Sequence, residues 1–217
     1  MTQIALVSAF MSYVLGSFPT AFLFGKKYLK QDIQDVGTQN SGAYNVFKSI
    51  GWIQGIATLL IDALKGYLPV TIAYHQMNLS PFWVGACASM ALIGHNWPIF
   101  TCFRGGKGGS TSAGILFALF PAEFPLMFLA FIILVAISRN LSLGLGICVL
   151  TFPLVAWLTD KPAWMIITAS LIALIGLIRI IPFIRRMILM SQGSTKKMFI
   201  IIMKGFKKYE QFYHSNQ

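Results

Sequence analysis

Long apolar stretches alternate with short polar segments along this chain, the pattern of helices that bury themselves in lipid. A membrane span needs about 20 apolar residues. The pattern predicts a first span over 4–24, a second over 52–74 interrupted by Asp62 and Lys65, and a third over 82–100. A short run over 114–120 ends at Pro121-Ala122-Glu123-Phe124-Pro125, and another follows over 126–137. Residues 141–158 and 163–181 supply the last two. The stretch 110–138 reads either as one span kinked at Pro121 and Pro125 or as two short ones. No Lys or Arg precedes Lys26, so 4–24 reads as a retained span rather than a secretory signal.

Charge chooses between the two readings. If 110–138 crosses twice and the N-terminus is outside, the inner segments are 25–51, 101–110, 139–140 and 182–217. Three cations fall elsewhere: Lys65 inside a span, Arg179 at the end of the last one, and Lys161 in an outer turn. Every other Lys and Arg falls in those inner segments. With a single span, Arg139 and the basic tail would lie outside. Cytoplasmic loops carry the excess of Lys and Arg. The expected fold is therefore all-α, a polytopic transmembrane bundle of about seven segments with the N-terminus outside and the C-terminus inside. Residues 1–190 form one transmembrane domain. Residues 191–217 form a basic amphipathic cytoplasmic tail, where Lys196, Lys197, Lys204, Lys207 and Lys208 suit an interfacial helix on an anionic leaflet.

Composition excludes the soluble classes. Of 217 residues, 56% are hydrophobic and 11% charged, against about 25% charged in soluble domains. A net charge of +11 would suggest nucleic acid in a soluble protein. Here orientation accounts for it, so membrane lipids are the expected partners and nucleic acid is not. Cys87, Cys102 and Cys148 are scattered without ligand spacing, so neither a metal nor a cofactor is expected.

Candidate chemistry sits in four places. The loop Val36-Gly37-Thr38-Gln39-Asn40-Ser41-Gly42-Ala43-Tyr44-Asn45-Val46-Phe47-Lys48 mixes glycines, hydroxyls and amides, which can turn backbone N–H groups toward an anion or make an ordinary polar turn. Arg104-Gly105-Gly106-Lys107-Gly108-Gly109-Ser110-Thr111 places two cations at the expected start of a helix, with Ser110 or Thr111 as cap. Lys107 is followed by Gly108 rather than Ser or Thr, so it is not a Walker lysine. Asp62 and Lys65, spaced i and i+3, share a helix face inside a span, where a charge costs roughly 2.5–3.5 kcal/mol. They read equally as a functional pair or as a structural one. His95 stands at the inner end of the third span, as a proton carrier or a hydrogen-bonded structural residue. The two glycine-rich loops face the same side, which makes a cationic, N–H-rich pocket where bilayer meets water. That pocket suits phosphate chemistry on a lipid.

These residues resemble the bacterial acyl-phosphate:glycerol-3-phosphate acyltransferases. Gly16-Ser17-Phe18-Pro19-Thr20 matches that family's Gly-Ser-x-Pro-Thr. Residues 36–48 follow its Val-Gly-Ser-Gly-Asn-x-Gly-Ala-Thr-Asn-Val-x-Arg. Asp62, Lys65 and Gly66 fit Asp-x-x-Lys-Gly, Gly94-His95 fits Gly-His, and Gly105-Gly106-Lys107-Gly108 fits Gly-Gly-Lys-Gly. Ser142-Leu143 stands at an expected Ser-Leu pair. Thr38, Gln39, Tyr44 and Lys48 replace Ser, Gly, Thr and Arg. In the pattern Arg-His-x-x-Asn-Ile-x-Arg, Arg179, Ile184 and Arg186 fit, while Ile180 and Phe183 replace His and Asn.

The resemblance implies seven transmembrane helices, a bacterial plasma membrane with the active face cytoplasmic, and transfer of an acyl group from acyl phosphate to glycerol 3-phosphate. It implies catalytic roles for Thr38, His95 and Lys107. Phosphate contacts would come from Gly37, Asn40, Gly42, Asn45, Lys48, Arg104, Gly105, Gly106 and Gly108, with Asp62, Lys65 and Gly66 shaping the site. Three other readings stay open: another phosphorylated acceptor, a non-catalytic lipid-binding protein, and a small transporter. The transporter reading lacks an inverted repeat.

Overall fold

The computed structural model describes residues 2–138, 140–191 and 194, which form helices joined by short turns and contain no strand. Helices α1 (Thr2–Gly16) and α2 (Thr20–Phe24) are two halves of the first expected span, prolonged by a wider-wound turn at Gly25–Leu29. The helix expected to be continuous over 4–24 is thus broken. Pro19 lacks an N–H and keeps Phe18 out of the helical region. The chain turns there on hydrogen bonds from Phe18 N–H to the Leu15 carbonyl, 3.2 Å, and from Thr20 N–H to the Phe18 carbonyl, 3.0 Å.

Helix α3 (Ala43–Ser49) follows the polar loop, and α4 (Trp52–Thr71) continues through Ile72–Gln76. Helix α5 (Pro81–Asn96) begins on a proline, whose missing N–H is no loss in a first turn. It stops four residues before the expected 100, because Trp97 precedes Pro98 and takes φ −133°, ψ 69°. Helices α6 (Gly109–Leu119) and α7 (Phe124–Ser138) are separate, so 110–138 is not one kinked span. Helix α8 (Leu141–Leu158) is capped by Asn140, whose Oδ1 accepts from Leu143 N–H at 3.1 Å. Helix α9 (Ala163–Ser191) runs past the expected end at 181 and carries Pro182 within it.

Three elements, Thr2–Leu29, Trp52–Gln76 and Ala163–Pro182, are long and apolar enough to cross a membrane, and α6, α7 and most of α8 are shorter apolar helices. Side-chain contacts sort the connections onto two faces. Glu123 Oε1 pairs with Lys161 Nζ at 2.6 Å, and the Tyr74 ring lies 5.7 Å from that of Trp164. The turns after α4, α6 and α8 therefore share one face. On the other, Gln34 Nε2 donates to the Arg104 carbonyl at 2.9 Å, which joins the two loops expected to be inner.

Packing relies on small residues, as in membrane bundles without a hydrophobic force between helices. Gly16 and Gly94 bring α1 and α5 together: a Cβ on either would strike the backbone of Ala91 or Tyr13. Gly66 and Gly114 do the same for α4 and α6, against the carbonyls of Thr111 and Ala63. One core holds Val84, Leu92, Ile115, Phe120, Phe152 and Ile172, and a smaller one under the polar loop holds Ala21, Ile33 and Val46. Large apolar side chains such as Phe10, Leu60, Phe82, Leu126 and Trp157 point outward, as lipid-facing surfaces require. Arg139, the side chains of Ser142, Phe183 and Arg186, and the basic tail with its expected interfacial helix lie outside the described residues.

Candidate active site

A pocket opens where the break in the first span, the middle of α4, the end of α5 and the glycine loop meet. Its lining includes Phe18, Pro19, Thr20, Ala21, Phe22, Ser41, Asp62, Lys65, His95, Arg104, Gly105 and Gly106. Three of the four candidate regions thus converge with part of the fourth. The helical spacing of Asp62 and Lys65 produces the expected pair, with Nζ and Oδ1 2.5 Å apart and both side chains buried. Lys65 Nζ also donates to the Phe18 carbonyl, 2.6 Å, at the break. His95 Nδ1 lies 3.9 Å from Asp62 Oδ1, too far for a direct hydrogen bond. Thr111 Oγ1 donates to the Asp62 carbonyl, 2.9 Å. Thr111 is therefore a brace between α4 and α6 rather than a cap. The N-cap of α6 is Gly108, in the left-handed region at φ 79°, with no side-chain cap.

The glycine loop presses against α5. Gly106 N–H donates to the His95 carbonyl, 3.2 Å. A Cβ at Gly105 would collide with the His95 and Asn96 carbonyls, and one at Gly106 with the His95 ring and the Ser41 carbonyl. Only glycine lets these three segments touch. From α9, Arg179 donates through Nη2 to the Gly105 carbonyl, 2.7 Å, and through Nε to the Gly106 carbonyl, 2.8 Å. Burial lowers the pKa of Lys107, in the same loop, and the neighbouring charge of Arg179 lowers it further. Arg104 is largely exposed and faces Asp32 and Asp35 at 3.9 and 3.8 Å.

The polar loop is organised from within. Asn45 is fully buried and its amide serves the loop itself: Nδ2 donates to the carbonyls of Ile33 (2.8 Å), Val36 (3.1 Å) and Asn40 (3.1 Å), and Oδ1 accepts from Thr38 N–H (2.8 Å). Gly37 and Gln39 adopt φ 58° in the turn. Lys48 is exposed in the last turn of α3, 4.6 Å from the centre of the Tyr44 ring. Thr38, Asn40, Gly42, Lys48, Lys107 and Gly108 flank the lining without forming part of it. Gly66 serves helix contact. Gln34, which the sequence reading passed over, ties the loops together: besides the Arg104 carbonyl it reaches Ser41 Oγ at 2.5 Å. Its position ahead of the glycine-rich stretch carried no signal of its own.

The family model described as glycerol-3-phosphate acyltransferase matches residues 6–189. The chain belongs to this family. Glycerol-3-phosphate acyltransferase 2 of Dehalococcoides mccartyi (strain ATCC BAA-2266 / KCTC 15142 / 195) is 36% identical over 96% of this chain and 97% of its own length. The glycerol-3-phosphate acyltransferase of Endomicrobium trichonymphae is also 36% identical, over 86% and 93%. Among solved structures, the glycerol 3-phosphate form of PlsY, an integral membrane glycerol 3-phosphate acyltransferase, superposes with a TM-score of 0.78 at 28% identity. That match covers 88% of this chain and 94% of PlsY. The lysophosphatidic acid form gives 0.76 at 26%, over 90% and 98%. This acyltransferase chain is thus an all-helical membrane protein of the PlsY type.

Proposed function

We propose that the protein transfers an acyl group from acyl phosphate to glycerol 3-phosphate, giving lysophosphatidate, at the cytoplasmic face of a bacterial plasma membrane. The observation that carries this reading is the convergence of Asp62, Lys65 and His95 with Gly105, Gly106 and Ser41 around one pocket. The glycerol 3-phosphate and lysophosphatidic acid forms of PlsY support the acceptor and the product. Seven spans with the N-terminus outside agree with the shared face of the turns after α4, α6 and α8.

An acyl phosphate is a mixed anhydride whose phosphate leaves readily, so positioning and electrostatic stabilisation supply most of the rate. Lys107, Arg104 and the loop N–H groups hold one phosphate. Lys48, Asn40 and Thr38 hold the second phosphate or orient the acceptor hydroxyl. Asn45 shapes the loop that presents them. His95 hydrogen-bonds substrate through Nε2, with Nδ1 facing Asp62. Purified wild-type protein should make labelled lysophosphatidate from palmitoyl phosphate and labelled glycerol 3-phosphate. Lys107→Ala should lose at least about 10²-fold of that rate. An unchanged rate in Lys107→Ala would remove this lysine from the site.

A second reading keeps the chemistry and changes the acceptor. It is favoured by Ile180, partly buried directly after Arg179, in place of the histidine of the resembled pattern. A panel of phosphorylated polyols, compared by kcat/KM, separates the two readings.

A further inference from the structure

The break in the first span lines the pocket, yet the reaction as described gives it no task. Thr20 opens α2 there. It is 4% exposed, and its Oγ1 has no hydrogen-bond partner among the described residues. Other hydroxyls in this bundle bond to the carbonyl four residues earlier: Ser12 to Ser8 (2.7 Å), Ser17 to Tyr13 (2.8 Å), Thr58 to Gln54 (2.7 Å) and Thr168 to Trp164 (2.8 Å). Thr20 is denied that solution because the preceding turn is the break, not helix. A buried polar group without a partner calls for an explanation.

The backbone around this hydroxyl is fixed. Thr20 N–H donates to the Phe18 carbonyl, and the same carbonyl accepts from Lys65 Nζ, which is held in turn by Asp62. Beside Thr20, the apolar Phe18, Ala21 and Phe22 line the pocket, and the glycine loop lines it too. An acyl phosphate fits such a lining with its phosphate at the glycine loop and its hydrocarbon along the apolar wall. Its carbonyl then falls between them.

We propose that Thr20 is a further substrate contact of this site, its hydroxyl donating a hydrogen bond to the carbonyl oxygen of the acyl donor, and that Lys65 positions it through the Phe18 carbonyl. The inference rests on the acyl-phosphate reading. In the transfer, the acceptor oxygen bonds to the carbonyl carbon. The bond from that carbon to the phosphate oxygen breaks, and its electron pair stays with the phosphate. The acceptor's hydroxyl proton leaves with the released phosphate. Negative charge collects on the carbonyl oxygen in between, where a preplaced donor has its largest effect. Thr20 keeps its own proton throughout.

The test uses the purified full-length protein, palmitoyl phosphate and labelled glycerol 3-phosphate. Thr20→Val preserves shape and removes the hydroxyl; Thr20→Ser restores it. Thr20→Val should lower kcat by roughly 10- to 100-fold, leave KM for glycerol 3-phosphate within about twofold, and unfold at the wild-type temperature. Thr20→Ser should recover most of the lost kcat. A Thr20→Val enzyme with wild-type kcat overturns the proposal. So do Val and Ser variants impaired alike, which would make the residue a packing element. A wild type that transfers nothing from acyl phosphate, while folded, overturns the acyl-phosphate reading and this inference with it. An active wild type with an unaffected Val variant removes the inference alone.

Discussion

Gln39 and Asn45 show how single residues set the polar loop. Gln39 sits at φ 58°, where the resembled pattern has glycine. A left-handed L-residue costs roughly 1–2 kcal/mol, and glycine returns roughly 0.5–1 of that through chain entropy. Gln39→Gly should therefore raise stability by about 0.5–1 kcal/mol, read as a higher unfolding temperature in detergent, and Gln39→Val should lower it. Asn45→Leu removes three donated contacts and two accepted bonds, from Thr38 N–H and Ser49 Oγ. It should lower stability by roughly 3 kcal/mol and expose the 33–45 loop to protease. Asp62, Lys65, His95 and Gly106 were legible in the sequence because charge or glycine in such a context demands a reason. Asn45 was not: an asparagine in a polar loop looks the same whether it faces a ligand or braces the backbone. Thr20 was hidden differently, since a threonine in a span ordinarily satisfies itself.

At the scale of the element, helix contact is governed by where a Cβ fits. Gly114→Val and Gly66→Val place atoms inside the backbone of the facing helix, so either should part α4 from α6 and reduce folded yield severely. Around Gly146 and Gly176 an added Cβ meets nothing within 4 Å. Alanine at those two positions should be neutral or stabilising, by up to about 1 kcal/mol each. Thermal unfolding of the four variants in one detergent checks the contrast. Most helices were legible as elements because each is apolar along its length. Their interruptions were less so. Lipid-facing helices lack the polar stripe that would reveal register, so only proline marks an end. Pro121 was read as one, whereas Pro19 and Pro98 were absorbed into the runs around them. The physical difference is that Pro121 has Glu123 and a second proline, Pro125, within four residues, while Pro19 and Pro98 lie in runs without a charge or a second proline so near.

Across the whole molecule, the Asp62–Lys65 pair joins α4 to the first span and places a salt bridge where water is excluded. Removing one partner strands the other charge, so Asp62→Asn or Lys65→Met alone should cost roughly 3–5 kcal/mol. The double variant Asp62→Leu with Lys65→Met should recover much of that loss, a coupling visible as a non-additive set of unfolding temperatures. Activity should not return with it, since Lys65 also holds the Phe18 carbonyl. That the turns after α4, α6 and α8 share one face was legible from charge, because lysines and arginines concentrate in the segments between the other helix ends. The meeting of the two glycine-rich loops was legible only as a shared side, since their link through Gln34 depends on packing that no spacing encodes. The Lys65 contact also bears on biogenesis. Both groups that receive this cation, the Asp62 carboxylate and the Phe18 carbonyl, lie in chain that leaves the ribosome with it or before it. The growing polypeptide therefore brings a charged segment into the bilayer already supplied with its counter-ion and an acceptor. It need not wait for helices α5 to α9, and the glycine loop arrives afterwards onto a wall that is already built.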